Sequence, residues 1–304
     1  NYYKALYFWR KLSFSDVIDE KIDKNITKKE IYKKYLSAVM NGGMKTNNLK
    51  KTVSKAISVK KIYNSPIDMG IVTVKSKGLK PVLLRKKDIR RDQLYDYLVA
   101  SASCFPAFSK KKIGDSEYID GGLYDNMPIN LAISMGANYV IAVNLDAVGM
   151  VKKIDNQDVK VEMITCSDKK KFNLTFTSSK AKHLIKMGYY DTMKHFNKLD
   201  GKLYTFKKND LDKNYNSISP FYISLLKDLL LSAKKNKVIT EIFNITKYKK
   251  MFNKLNQNLD IKEEVNSSLE YLGDIFNISK DKIYDINHYN RLLIKQVKNL
   301  SYIK

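Results

Sequence analysis

The spacing of apolar residues predicts alternating helices and strands in the first two thirds of the chain. Apolar side chains at helical spacing predict helices over residues 2–12, 28–40, 91–102 and 178–198. Short apolar runs predict strands at residues 67–75, 79–84 and 159–165, and the first two form a hairpin turned at residues 76–78. The uninterrupted apolar run at residues 139–145 is typical of a strand buried on both faces of an α/β sheet.

The last third of the chain shows only helical spacing. It predicts helices over residues 218–235, 238–256, 262–276 and 285–300. The composition changes near residue 205 from mixed helices and strands to basic helices. We therefore predict an α/β domain over residues 1–205 and a basic helical extension over residues 206–304.

The candidate chemistry lies in the stretch IDGGLYDNMPINLAISMGANYVIAVNL, residues 119–145. Asp120 follows the end of a short predicted strand. Gly121 and Gly122 are expected to turn the backbone with positive φ and to leave space beside the carboxylate. A partly buried carboxylate accepts a proton from a hydroxyl more readily, because burial raises its pKa. When Asp-Gly-Gly stands alone, an ordinary turn is the simpler interpretation.

The residues around Asp120 extend this pattern. Asn126 is predicted to cap a helix whose first turn contains Pro128. The complete set, in chain order, is Ala102-Ser103, Pro106, Asp120-Gly121-Gly122, Asn126-x-Pro128 and Gly136-Ala137. In its order and spacing this set resembles the patatin-like phospholipase family, over roughly residues 1–200.

The resemblance implies an α/β sheet flanked by helices and a serine–aspartate dyad that hydrolyses acyl esters of phospholipids or related lipids. The aspartate of Asp-Gly-Gly takes the serine proton in that dyad, so the resemblance assigns Asp120 the role of general base. It assigns Gly121, Gly122, Asn126 and Pro128 to the shaping of the catalytic loop. It implies neither a cofactor nor a metal.

The chain departs from the family at the nucleophile, because it contains no Gly-x-Ser-x-Gly. The nearest stretch, GDSEY at residues 114–118, lacks the second glycine and is expected to be a plain turn. In the family, the nucleophile and the oxyanion loop precede the segment that residues 2–17 resemble. We therefore expect a fragment that begins after the nucleophile elbow and is inactive by itself. A natural short form that has lost the nucleophile is the alternative.

The net charge of +25 suggests a second class of function. The lysines are spread along the chain, which favours a solvated coat over a tuned patch. Such a surface is attracted to anionic lipid by about 1 kcal/mol for each basic residue near the membrane. A non-catalytic basic protein that binds an anionic membrane surface or nucleic acid is therefore the alternative function. The tyrosine and lysine interleaving at residues 247–250 accompanies no recognised module, so no specific nucleic acid partner is expected.

The remaining candidate residues argue for ordinary structural roles. With only Cys104 and Cys166 no disulfide framework is expected, and a reducing compartment fits this count. We therefore expect a cytoplasmic location, with peripheral contact to a membrane as an option. Cys104 is expected to be a small buried residue, and His183 and His195 are expected at the surface of a helix. No residue spacing suits zinc, and no phosphate or dinucleotide fingerprint is present. Apolar residues at 221–231 are expected to pack on the core, with a membrane-facing stripe as the alternative.

Overall fold

The computed structural model describes residues 1–20, 28–168, 177–233 and 261–301. The chain divides into two compact units, Asn1–Lys182 and His183–Lys304. This division falls earlier than the composition change near residue 205, because composition records where lysine-rich helices begin and not which elements pack together. The domain organisation 1–205 and 206–304 stays a prediction.

The helices of the first unit include all three that the spacing predicts there. They are α1 (Tyr2–Lys11), α2 (Lys28–Met40), α3 (Asn47–Ala56), α4 (Val59–Tyr63), α5 (Leu94–Ser101) and α6 (Ile129–Ser134). We did not predict α3 and α4: α4 has only five residues, whereas α3 carries Leu49, Val53 and Ala56 at helical spacing among its lysines, so its signal was present in the sequence and was missed. Phe108 and Met44 belong to a core cluster that also contains apolar residues near α1 and α2.

The main sheet of the first unit is antiparallel and has the strand order β2-β1-β4-β3. Its strands are β1 (Gly70–Lys75), β2 (Lys80–Arg85), β3 (Lys111–Ile113) and β4 (Ser116–Asp120). The predicted hairpin of β1 and β2 is confirmed, and Gly78 takes the positive φ that its turn requires. Since β1 lies between two partners, it places the end of β4 beside a fully hydrogen-bonded, buried strand.

A second, parallel sheet consists of β5 (Tyr139–Asn144) and β6 (Lys160–Thr165). Both strands were predicted, but burial of the first on both faces is wrong within the described residues. Tyr139, Ile141 and Val143 are 43–60% exposed, although they alternate along one face of β5. An apolar run shows that burial of a strand would be favourable, but the tertiary structure determines whether other elements cover its faces.

The second unit combines helices with a small sheet. Its elements are the greater part of α7 (Ser178–His195), then β7 (Leu199–Asp200), β8 (Thr205–Lys207), α8 (Asp210–Ala233), α9 (Ile261–Ile275), β9 (Ile283–Tyr284) and α10 (Ile286–Ser301). The sheet has the order β7-β8-β9, so the prediction of helices alone after residue 210 is wrong at β9. Strands of two or three residues are too short to show alternation.

Aromatic rings form the centre of the second unit. Tyr204, Phe206, Tyr284 and Tyr289 are buried, and their ring centroids lie 5.1–6.4 Å apart. The predicted helix at 238–256 and residues 247–250 lie outside the described residues, as do most side chains of residues 221–231. Among the helices that the structure describes, none has the length and apolar content needed to cross a bilayer.

Candidate functional site

Asp120 is the last residue of β4, as the sequence predicts. It pairs with Thr73 of β1, and its backbone N–H donates to the Ser103 carbonyl oxygen at 2.9 Å. The buried Thr73 hydroxyl donates to the Ile119 carbonyl oxygen at 2.7 Å. The backbone of Asp120 is therefore fixed from two sides, which limits the positions that its carboxylate can take.

The Asp120 carboxylate is partly buried and is held by one strong hydrogen bond. Its Oδ1 accepts from the Gly122 N–H at 2.7 Å. Within the described residues, Oδ2 accepts no hydrogen bond. Burial raises the pKa of Asp120 above its ordinary value, and the Gly122 N–H only partly offsets this rise. The site therefore combines one anchored oxygen with a second oxygen that is able to accept a proton.

Gly121 and Gly122 shape the loop in a way that differs from the prediction. Neither has positive φ, and the two begin a 3-10 turn directly after Asp120. Glycine is needed there because of close approach: a Cβ at Gly121 would overlap the Val72 carbonyl group. A Cβ at Gly122 would lie 2.9 Å from Asn126 Oδ1 and 3.1 Å from Asp120 Oδ1. The space beside Gly121 is thus occupied by β1.

Replacing Gly121 by alanine is expected to lower the free energy of unfolding of the first unit by about 2–3 kcal/mol, because backbone atoms of β1 must move. Fluorescence of Trp9, the only tryptophan, during urea unfolding measures this loss. Gly188→Ala is the control for adding a Cβ where no atom lies within 4 Å; because this helical residue belongs to the second unit, near-UV circular dichroism of the buried tyrosines follows its unfolding in place of Trp9. That change should be neutral or slightly stabilising. Equal effects of the two substitutions would contradict the packing argument.

Asn126 and Pro128 occupy other positions than predicted. The cap residue of α6 is Pro128, and the helix begins at Ile129, so Asn126 is not the cap. Met127 and Pro128 separate Asn126 from the helix, and its amide Nδ2 donates instead to the Ala147 carbonyl oxygen at 3.2 Å. Asn126 therefore joins the Asp120 loop to the segment that follows β5.

The segment after β5 is the part of the site that the sequence did not predict. Met150 N–H donates to the Gly122 carbonyl oxygen at 2.9 Å, and Asn126 N–H donates to the Met150 carbonyl oxygen at 2.6 Å. Gly149 lies so close to Asn126 that a Cβ there would come within 2.8 Å of its side chain. Asn130 Nδ2 donates to the Lys153 carbonyl oxygen at 2.8 Å. In the sequence, Gly149 after the apolar run was the signal for this contact between the segment and the Asp120 loop.

The other nucleophile and ligand candidates do not form a competing site. Burial, together with the negative charge of Asp120, raises the pKa of the Cys104 thiol, so it is not an activated thiolate. His183 is partly buried and pairs with Asp281, which corrects its predicted surface position. Within the described ranges, no three His, Cys, Asp or Glu side chains are grouped so that they could hold a metal ion.

The GDSEY stretch at residues 114–118 is a turn, as expected. Gly114 has a φ of +59° and connects β3 to β4, whose pairing brings Ile113 opposite Ser116. Ser103, the serine of the Ala-Ser segment, is buried and donates its hydroxyl to the Val99 carbonyl oxygen at 2.8 Å. Neither serine is presented to the Asp120 carboxylate as a nucleophile by a strand-to-helix elbow.

The segment that carries Asp120 matches a known protein family. Residues 2–133 match the family model Patatin-like phospholipase. The match confirms the resemblance and contains all five predicted site residues, and the mixed helices and sheets confirm an α/β fold. The patatin-like match indicates a lipid acyl hydrolase family. It spans α1 to α6 and ends before β5. No curated protein matches the chain.

Proposed function

We propose that the protein takes part in lipid acyl hydrolysis, with Asp120 as the general base of a serine–aspartate dyad. The supporting observation is the Asp120 carboxylate itself. One of its oxygens is anchored by Gly122 N–H, and its pKa is raised by burial. It lies inside the patatin-like segment, whose family acts on lipids. The substrate is an acyl ester of a phospholipid or related lipid, and neither a cofactor nor a specific nucleic acid is part of the proposal.

In this mechanism Asp120 Oδ2 accepts the proton of a serine hydroxyl as the serine oxygen attacks the ester carbonyl carbon. The alcohol leaves with the proton that Asp120 returns to it, and an acyl-serine ester remains. A water molecule then attacks the carbonyl carbon of this ester while Asp120 takes its proton; the bond to the serine oxygen breaks, Asp120 returns the proton to that oxygen, and the fatty acid is released. The Gly122 N–H holds Oδ1 throughout, so the carboxylate keeps one orientation through both steps.

The serine of this dyad is not among the 304 residues in a Gly-x-Ser-x-Gly context. We therefore propose that residues encoded before Asn1 supply it, together with the oxyanion loop. A cytoplasmic location with peripheral contact to a membrane belongs to the same proposal. The deciding test is the in-frame coding sequence upstream of Asn1. A stop codon or start codon directly before Asn1 would contradict the proposal.

The purified 304-residue chain is expected to show no burst of p-nitrophenol with a p-nitrophenyl acyl ester, because no acyl-enzyme can form without the serine. Stopped-flow absorbance measures the burst, and the Asp120→Ala variant of the same chain is the control. Both proteins should give the slow rate of the buffer alone. A burst in the wild-type chain that Asp120→Ala removes would show that the nucleophile lies within these residues.

A further inference from the structure

Asp125 carries a buried carboxylate in the Asp120 loop that the proposed mechanism does not use. The residue is only 6% exposed. Burial of a carboxylate is costly unless hydrogen bonds compensate it. Asp125 Oδ1 accepts from the Met127 N–H at 3.2 Å, and the Lys152 N–H approaches the same oxygen at 3.5 Å. The side chain therefore lies between the turn that precedes α6 and the segment that follows β5.

The backbone of Asp125 holds the peptide group between Gly121 and Gly122. The oxygen of this group is the Gly121 carbonyl oxygen, which accepts from the N–H groups of Tyr124 and Asp125, each at 2.9 Å. The N–H of the same group is that of Gly122, which donates to Asp120 Oδ1 at 2.7 Å. Because a peptide group is planar, the donors at its oxygen also set the direction of its N–H.

The side chain of Asp125 joins this loop to a segment distant in the sequence. Lys152 lies two residues beyond Met150, whose N–H donates to the Gly122 carbonyl oxygen at 2.9 Å. Met150 and the Asp125 carboxylate therefore hold the loop to the segment after β5 at two adjacent points. Loss of the carboxylate removes one of these points and lets the backbone N–H of Asp125 move.

We propose that Asp125 is a positioning residue for Asp120. Its carboxylate fixes the place of its own backbone N–H, and this N–H orients the peptide group between Gly121 and Gly122. The Gly122 N–H then holds the Asp120 carboxylate in one orientation. Asp125 transfers no proton in this role. An effect of Asp125 on kcat rests on the proposed function, whereas its effect on the Asp120 carboxylate does not.

NMR titration of the Asp120 carboxyl group in the 304-residue chain tests the proposal without turnover. In protein isotope-labelled at the aspartate carboxyl carbons, the Asp120 signal is the one that Asp120→Asn removes. Asp125→Ala should raise the pKa of Asp120, because the Gly122 N–H that lowers this pKa would no longer be aligned. Removal of a neighbouring negative charge by itself lowers the pKa of a carboxyl group. The direction of the shift therefore separates positioning from a simple effect of charge.

Two further variants are the controls. Asp125→Asn keeps an oxygen that can accept from the Met127 and Lys152 N–H groups but removes the charge, so it should not raise the pKa of Asp120. Asp155→Ala removes an exposed carboxylate from the segment after β5 and should leave that pKa unchanged. If Asp125→Ala does not fold, Asp125→Ser replaces it with the same expected rise. The serine hydroxyl can accept from the N–H two residues further on, but it is too short to reach the second segment.

The titration overturns the proposal if the pKa of Asp120 in Asp125→Ala equals that of the wild type or lies below it. An equal rise in Asp125→Asn or in Asp155→Ala would overturn it as well, because neither control removes the acceptor and leaves the charge effect aside.

The catalytic consequence is measured in a gene product that carries the Gly-x-Ser-x-Gly serine. There Asp125→Ala should lower kcat about tenfold with little change in KM, since the carboxylate no longer faces the serine in one orientation. The pH at half-maximal kcat/KM should move upward, and Asp125→Asn should keep both values near those of the wild type. A raised pKa of Asp120 with an unshifted pH profile would support the positioning role and contradict Asp120 as the general base.

Discussion

Asp120→Asn is expected to lower kcat for acyl-ester hydrolysis by about 10²–10⁴-fold in a gene product that also carries the Gly-x-Ser-x-Gly serine. Asparagine keeps the size of the side chain and the oxygen that accepts from Gly122 N–H, but it cannot take the serine proton. The substitution therefore removes the base and leaves the loop in place. Steady-state kinetics with a p-nitrophenyl ester and with phospholipid vesicles would measure the loss.

The pH dependence of kcat/KM tests the same role of Asp120 as a base. Asp120 acts as a base only when it is ionised, and burial raises its pKa above the ordinary value of 3.8. The kcat/KM of the wild type should therefore rise with pH and reach half of its maximum above pH 3.8. The raised pKa means that the folded state binds this proton more tightly than the unfolded state does. The contribution of Asp120 to the free energy of unfolding therefore falls as pH rises from the unfolded pKa through the folded pKa. Asp120→Asn should lose both dependences.

Asp115→Asn is the matched control for this experiment. Asp115 is exposed in the turn between β3 and β4, five residues before Asp120, and the substitution changes the charge equally. Its kcat and pH profile should equal those of the wild type. Activity of Asp120→Asn within a factor of a few of the wild type would exclude Asp120 as the general base.

Glu270→Ala is expected to lower the free energy of unfolding of the second unit by about 3–5 kcal/mol. Glu270 is 2% exposed, and its carboxylate accepts from the backbone N–H groups of three consecutive residues, Lys202, Leu203 and Tyr204. Alanine leaves these donors without their acceptor. Each buried donor without a partner costs about 1–3 kcal/mol, and water entering the vacated space recovers part of this. The carboxylate thereby fixes the chain that enters β8 against α9.

Glu263→Ala provides the control on the same helix. The Glu263 carboxylate pairs with the side chain of Lys202, but it is 60% exposed, and exposed ion pairs contribute about 0–1 kcal/mol. Near-UV circular dichroism of the buried tyrosines would follow urea unfolding of the second unit, while Trp9 fluorescence reports on the first. A loss for Glu270→Ala no larger than that for Glu263→Ala would show that the three N–H groups find other acceptors.

The local elements that the sequence predicted share a clear physical signal. The hairpin of β1 and β2, the strand pair β5 and β6, and the helices α1, α2, α5 and α7 all carry several apolar residues at one spacing. The strands β7, β8 and β9 and the helix α4 were missed because they have five residues or fewer, whereas α3 was missed although Leu49, Val53 and Ala56 show helical spacing. Elements of two to five residues are too short to show periodicity, so these could not be predicted from it.

The sequence alone determined the patatin-like resemblance, the α/β class and the position of Asp120 at a strand end before two glycines. The contacts that explain these features could be seen only in the tertiary structure. Val72 lies where a Cβ of Gly121 would be, and Asn126 holds the segment after β5 instead of capping a helix. The tertiary structure also leaves Tyr139, Ile141 and Val143 of β5 exposed. Periodicity records which residues favour burial within one element, whereas close contacts between segments distant in sequence and the coverage of an apolar face depend on how the chain folds back on itself.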